Sequence, residues 1–183
     1  MIFSTERLIL RPWQETDAEC LYEYASSPDI GPAAGWQIHK SVDESRQIIK
    51  SVLSAPNTYA IINIETLNPI GSIGLMIGKQ SNIGLPEDEA EIGYWIGRPF
   101  WGKGFMPEAV REILRYAFED LNLKRVWCGY FDGNEKSKRV SEKCGFKYEY
   151  TIEKFFVKPL NEERTLHATS LSRKSWKQNK QHI

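Results

Sequence analysis

The sequence predicts a mixed α/β (α+β) domain with about seven strands, in the order β-α-α-β-β-β-α-β-α-β-β. Three observations lead there. The hydrophobic period switches repeatedly between about 3.6 and 2, which separates amphipathic helices from half-buried strands. The resulting elements are mixed rather than regularly alternating. The chain has 183 residues, 41% of them hydrophobic and 26% charged, and a chain of that length buries roughly 70% of the surface its unfolded form exposes. A full core therefore needs no metal or disulfide.

Each element has a local reason. Arg7–Trp13 alternates as a first strand and stops near Pro12, since proline cannot donate to a ladder. Thr16-Asp17 starts a helix with Cys20, Leu21, Tyr24 and Ala25 on one face. Pro28 to Ser41 reads as a loop, broken by Pro28, Gly31, Pro32 and Gly35. Ser41 or Asp43 caps a second helix through Ile48, Ile49, Val52 and Leu53, ending at Pro56-Asn57. Tyr59–Ile64 and Ile70–Ile77 form a β-hairpin across Glu65–Pro69. A further strand, Ala90–Ile96, leads into the glycine-rich break Gly97–Gly104.

The clearest helix follows: Val110, Ile113, Leu114, Ala117, Phe118 and Leu121 recur at helical spacing, with Pro107 and Glu108 in the first turn. Arg125–Tyr130 is a short strand. Asn134 is an N-cap for a helix closing at Gly145, a C′ residue after Cys144. Phe146–Thr151 and Thr165–Leu171 are the last two strands, and the domain spans 1–172. The basic tail, 173–183, reads as a solvated end.

Composition excludes several functions. Lys+Arg and Asp+Glu are both 24, so there is no global field for gripping nucleic acid. No apolar run approaches the ~20 residues that span a bilayer, and Met1–Arg7 has no basic region followed by an apolar stretch. Neither a nucleic-acid nor a membrane partner is expected, and a cytoplasmic location is. Cys20, Cys128 and Cys144 are widely spaced, as are His39, His167 and His182. The pattern predicts reduced thiols and no metal.

One stretch carries chemistry: strand Ala90–Ile96, the turn at Gly102 and Gly104, then the strong helix. Glycines let backbone approach a ligand, and the first N–H groups of a helix have no internal partner. With the positive end of the macrodipole behind them, these groups suit a phosphate or diphosphate, and Lys103 adds a charge. A tight turn with glycines for steric reasons alone explains the same residues. Gly97–Gly104 also nearly spells a P-loop, which would make the chain a phosphotransferase. The residue after Lys103 is Gly104, however, where that motif needs a hydroxyl for Mg²⁺.

Taken together, Glu89–Ile96 and Phe100–Ala109 resemble the acetyl-CoA-binding motif of the GNAT N-acetyltransferases, in particular the RimJ/RimL-like branch. Asn134–Phe146 is similar to that branch's N-x-x-S…K-x-G-F signature, and Thr5–Arg11 looks like its first strand. The resemblance covers roughly residues 3 to 172. It implies a mostly antiparallel central sheet with helices on both faces, and acetyl transfer from acetyl-CoA to a primary amine. The acceptor would be a protein N-terminus or a small-molecule amine, and the sequence allows a homodimer. The family's diphosphate loop, [Q/R]-x-x-G-x-[G/A], falls on Pro99–Gly104; Pro99 departs from the first position, and Gly102 and Gly104 match.

By the same resemblance, Gly102, Lys103, Gly104, Phe105 and Met106 hold the diphosphate. Trp95 and Ile96 bond the pantetheine arm through main-chain groups, as does Asn134, which is also a plain N-cap. Glu91 matches the base of the histone-acetylating branch; it is equally one charge in the run Glu87, Asp88, Glu89, Glu91. Where many relatives carry a tyrosine acid this chain has Ser141, and the branch's serine is Ser137, which also reads as a helix-surface residue. A catalytically silent CoA-binding module remains a further alternative. Trp36, in the loop where the family builds its acceptor site, either walls that site or caps the core.

Overall fold

A computed structural model of the chain describes residues 1–180; the last three residues of the basic tail lie outside the described residues. The strands are β1 (Phe3–Ser4), β2 (Leu8–Arg11), β3 (Thr58–Asn63), β4 (Pro69–Ile77), β5 (Glu89–Ile96), β6 (Arg125–Phe131), β7 (Lys147–Val157) and β8 (Glu162–Ser172). They form one sheet in the order β1-β2-β3-β4-β5-β6-β8-β7. The pair β5–β6 is parallel, whereas β1–β2, β2–β3, β3–β4, β6–β8 and β7–β8 are antiparallel. The eighth strand beyond the seven expected is β1, whose two residues are too short to show a period. The helices are α1 (Ala18–Ala25), α2 (Gly31–Ala34), α3 (Val42–Ile48), α4 (Phe105–Arg115), α5 (Glu135–Lys143) and α6 (Arg173–Lys180). The described residues cluster into two compact units.

The first unit comprises Met1–Gly74, Tyr94–Ala109 and Lys158–Leu160. Leu8 and Leu10 of β2 are fully buried, as period-two alternation requires. Trp13, Ala18, Leu21, Ala25, Ile49, Ala60 and Ile62 form its core, with Trp36 and Trp95 packed against them. The buried Trp13 indole N–H donates to Ser72 Oγ (3.1 Å), which donates to the carbonyl of Tyr59 (3.2 Å). A 3₁₀ turn, Glu15–Asp17, precedes α1, and Arg11 grips Asp17 with both forks at 2.7 and 2.8 Å. Ser41, rather than Asp43, caps α3: its Oγ accepts from the N–H of Glu44 at 3.1 Å. A π-helical turn, Ile49–Leu53, continues α3. The expected loop from Pro28 to Ser41 contains the short α2, closed by Gly35 at φ 89.

The second unit comprises Leu75–Gly93, Val110–Val157 and the chain from Asn161 onward. Val126 and Cys128 of β6 are buried. Asn134 caps α5, and at the other end Gly145 N–H bonds the carbonyl of Glu142 (3.0 Å) and Phe146 N–H that of Ser141 (3.1 Å). This is a Schellman closure on a glycine at φ 86. Beneath α5, the Ser141 and Thr169 hydroxyls meet at 2.9 Å and Thr169 donates to the carbonyl of Cys128 at 2.8 Å.

Strands β7 and β8 run well past the expected ends at Thr151 and Thr165. The register shifts between Ile152 and Phe155, which breaks the alternation and hides the strand from a period-two reading. The basic run from Arg173, read as a solvated end, is helical as far as Lys180, with the Trp176 ring 5.9 Å from Phe118.

Candidate active site

The glycine turn belongs to the first unit. After β5 ends, Gly97 N–H bonds the carbonyl of Ile70 (2.8 Å), and Arg98–Phe100 make a 3₁₀ turn. The Trp101 indole N–H donates to the carbonyl of Ile96 at 2.9 Å. Gly102 and Gly104 sit at φ 75 and 81, a region that only glycine enters freely. A Cβ on Gly102 would meet nothing within 4 Å, so that glycine is needed for backbone conformation alone. The first helical bond of α4 runs from Glu108 N–H to the carbonyl of Gly104 (3.2 Å). Phe105 and Met106 therefore have N–H groups that the helix itself cannot satisfy, and Pro107 has none.

Side chains hold this turn. Phe105 meets Phe100 edge-on at 6.1 Å and lies 4.5 Å under the Arg7 guanidinium. Met106 is buried, while Lys103 is exposed with its Nζ 5.8 Å from the Phe100 ring. Burial alone would raise the pKa of Glu108, but the Thr5 hydroxyl and the N–H and guanidinium of Arg7 outweigh it and hold the carboxyl below its ordinary value. Trp95 stacks on Trp13 at 6.3 Å and meets Trp36 edge-on at 5.9 Å. The backbone of Trp95 and Ile96 runs so close to Gly71 that a Cβ there would lie 2.4 Å from the Trp95 carbonyl oxygen.

Glu91, Asn134 and Ser137 belong to the second unit. Glu91 is 8% exposed. Its Oε2 accepts from Ser81 Oγ (2.9 Å), Asn82 N–H (2.7 Å) and Asn82 Nδ2 (3.3 Å), and its Oε1 from Asn82 Nδ2 alone (3.3 Å). The β5–β6 register runs from Glu89↔Arg125 to Ile92↔Cys128, while β5 continues to Ile96 and β6 to Phe131. Asn134 and Ser137 are brought together at the head of α5, where Asn134 Oδ1 accepts from Ser137 N–H at 3.1 Å. Ser141, at the family's usual tyrosine position, is 1% exposed. Its hydroxyl meets that of Thr169 at 2.9 Å.

Sequence reading missed four partners. Ser81 and Asn82 fix Glu91 from a loop with no periodic signal, and Thr5 and Arg7 bond Glu108 across about a hundred residues. No spacing rule reaches that far. Among the described residues no group of three or more His, Cys, Asp or Glu side chains could hold a metal ion, and no helix is long and apolar enough to cross a membrane.

A mostly antiparallel sheet in which β5 and β6 are parallel, with a glycine turn opening α4 straight after β5, matches the architecture that the sequence resemblance implies. The family model for the acetyltransferase (GNAT) domain matches residues 7–147, and the chain belongs to that family. The chain is 34% identical over 150 residues to the N-acetyltransferase p20 of Bacillus licheniformis, itself uncharacterised, covering 79% of this chain and 82% of that one. In structure it is similar to a GNAT-family acetyltransferase from Bacillus anthracis, with TM-score 0.83 at 24% identity over 95% and 99% of the two chains. It is also similar to the ribosomal-protein-S5-alanine acetyltransferase of Vibrio fischeri, with TM-score 0.73 at 21% identity over 96% and 98%. The RimJ/RimL-like resemblance agrees with these neighbours. The P-loop reading of the same glycines gives way to the family assignment.

Proposed function

We propose that the chain transfers the acetyl group of acetyl-CoA to a primary amine, either a protein N-terminus or a small-molecule amine, by direct attack in a ternary complex. The observation that carries this reading is the pair of left-handed glycines, Gly102 and Gly104, delivering the N–H groups of Phe105 and Met106 at the head of α4. Those groups, with the helix dipole and Lys103, fit a diphosphate. Trp95 and Ile96 fit the pantetheine arm through main-chain groups. The Ile96 carbonyl already accepts from Trp101, and its second lone pair can accept again. Asn134, whose Oδ1 caps α5, is the residue of the second unit assigned to the same arm. Bound acetyl-CoA supplies a thioester activated toward amines.

The remaining steps belong to side chains. An amine with a Lys-like pKa of about 10.4 must lose a proton before its nitrogen forms the new C–N bond. Glu91 takes that proton, directly or through one water, on Oε1, the oxygen with a single long contact. The C–S bond breaks and the sulfur leaves as thiolate, which Ser137 stabilises with its hydroxyl or supplies with a relayed proton.

The test begins with a thermal-shift titration. Acetyl-CoA at a hundred times its Kd should add about 2.7 kcal/mol of stability, and no shift at any concentration would refute the reading. Thioester consumption over a panel of peptide N-termini and polyamines should then identify the acceptor. Glu91→Gln should lower turnover by about 10²–10⁴-fold and Ser137→Ala by less.

A second reading, a silent CoA-binding module, draws on the buried Glu91, whose Oε2 is held by Ser81 and Asn82, an arrangement that also suits a purely structural role. It predicts acetyl-CoA binding with no thioester loss for any amine.

A further inference from the structure

Glu108 is a misplaced charge for a diphosphate site. It lies in the first turn of α4, where the macrodipole and open N–H groups should favour an anion, and its carboxylate would repel one. The structure answers that conflict with a clamp from the chain's beginning. Glu108 Oε1 accepts from Thr5 Oγ1 (2.5 Å) and Arg7 N–H (2.9 Å), and Oε2 from Arg7 Nε (2.7 Å), with Arg7 Nη2 at 2.6 Å. Both oxygens are thus occupied and the charge is balanced by a guanidinium fork.

Arg7 also reaches the loop itself. Its Nη1 donates to the carbonyl of Lys103 at 3.0 Å, and its Cζ lies 4.5 Å above the Phe105 ring. The Lys103–Gly104 peptide is trans, like every peptide in the described chain. In a planar trans unit the C=O and the following N–H point opposite ways. Holding the Lys103 oxygen toward Arg7 therefore turns the Gly104 N–H away from Arg7.

We infer that Arg7, assisted by Thr5, is the positioning residue of the diphosphate loop: it neutralises Glu108 and locks the Lys103–Gly104 peptide so that the N–H groups face the ligand before it arrives. The inference rests on the proposed acetyl-CoA reading and adds to it a residue that acts without touching the ligand.

Calorimetric titration with CoA separates the two ideas. If the unaltered chain binds no CoA, the functional reading itself falls. If it binds, Arg7→Met should weaken CoA by about tenfold or more, mostly because Glu108 is left unpaired beside the phosphates. Adding Glu108→Gln to Arg7→Met should restore most of that loss, since the opposing charge is gone. Glu108→Gln alone, which keeps the acceptor for Thr5 and does not depend on the Arg7 variant folding, should bind CoA at least as tightly as the unaltered chain. With acetyl-CoA as substrate, Arg7→Met should raise KM while kcat at saturation is retained. Three results would overturn the inference: Arg7→Met binding CoA unchanged, the double variant binding no better than Arg7→Met, or Glu108→Gln alone losing tenfold.

Discussion

Gly71→Ala tests how closely two strands of the first unit are fitted. Gly71 lies in β4, and a Cβ built there would fall 2.4 Å from the carbonyl oxygen of Trp95 and 3.0 Å from the Cα of Ile96. Both atoms are backbone, so no side chain can swing aside. Restoring 3.0 Å requires a shift of about 0.6 Å in β5, and overpacking of this kind costs about 1–3 kcal/mol. The loss of unfolded-state entropy on replacing glycine offsets about 0.4–1 kcal/mol, leaving a net loss of about 1–2 kcal/mol. For a chain of this size that lowers Tm by roughly 2–8 °C.

Gly93→Ala is the control, because its Cβ would meet only Met76 Cε at an ordinary 3.6 Å. It should be neutral or slightly stabilising. Calorimetry on the two variants gives the comparison, and CoA titration of Gly71→Ala should show weaker binding through the displaced Trp95–Ile96 backbone. Equal melting temperatures for Gly71→Ala and the unaltered chain would refute the steric argument.

Two other outcomes are expected. Burial lowers the pKa of His39, against a smaller opposing pull from Glu44, and its Nδ1 meets Ser45 Oγ at 2.8 Å. A folded value below the unfolded one means that its stabilisation is complete above about pH 6.5 and lost as pH falls through the folded value. His39→Asn should therefore be less stable at pH 7.5, with the gap narrowing toward pH 5.5 in urea titrations; a constant gap would contradict this. Thr169→Val removes the hydroxyl that meets the buried Ser141 Oγ and should cost about 1–3 kcal/mol. Adding Ser141→Ala should cost less than the sum of the two single changes, since they share one hydrogen bond.

Elements whose cause is local were legible in the sequence. Helix α4 follows from one apolar stripe, and α5 from Asn134 at its head and Gly145 at its foot. The β3–β4 hairpin follows from two apolar runs around Asn68-Pro69. The turn at Gly102 and Gly104 was readable as backbone geometry, because glycines that recur before a strong helix mark left-handed conformations. What escaped has causes distant in the chain or hidden by irregularity. The four-residue α2 is too short for a period. The bulge after Ile152 scrambled the alternation of β7, and the amphipathic cue in α6 is one tryptophan among lysines. Within the site, Glu91 could be nominated by position, but not its clamp by Ser81 and Asn82. Thr5 and Arg7 looked like strand residues because the group that explains them, Glu108, arrives only through tertiary folding.

The tryptophans are unevenly shared. Trp13, Trp36, Trp95 and Trp101 lie in the first unit, and only Trp127 and Trp176 in the second. Intrinsic fluorescence consequently watches mainly one half of the protein. The Trp13–Trp95 pair, 25° from parallel, should also give coupled near-ultraviolet dichroism specific to that half. Far-ultraviolet dichroism follows backbone throughout. Superimposable denaturation curves from these probes would mean that both halves melt as one cooperative body, and an earlier fluorescence transition would mark the half bearing the Gly102–Gly104 turn as the first to open.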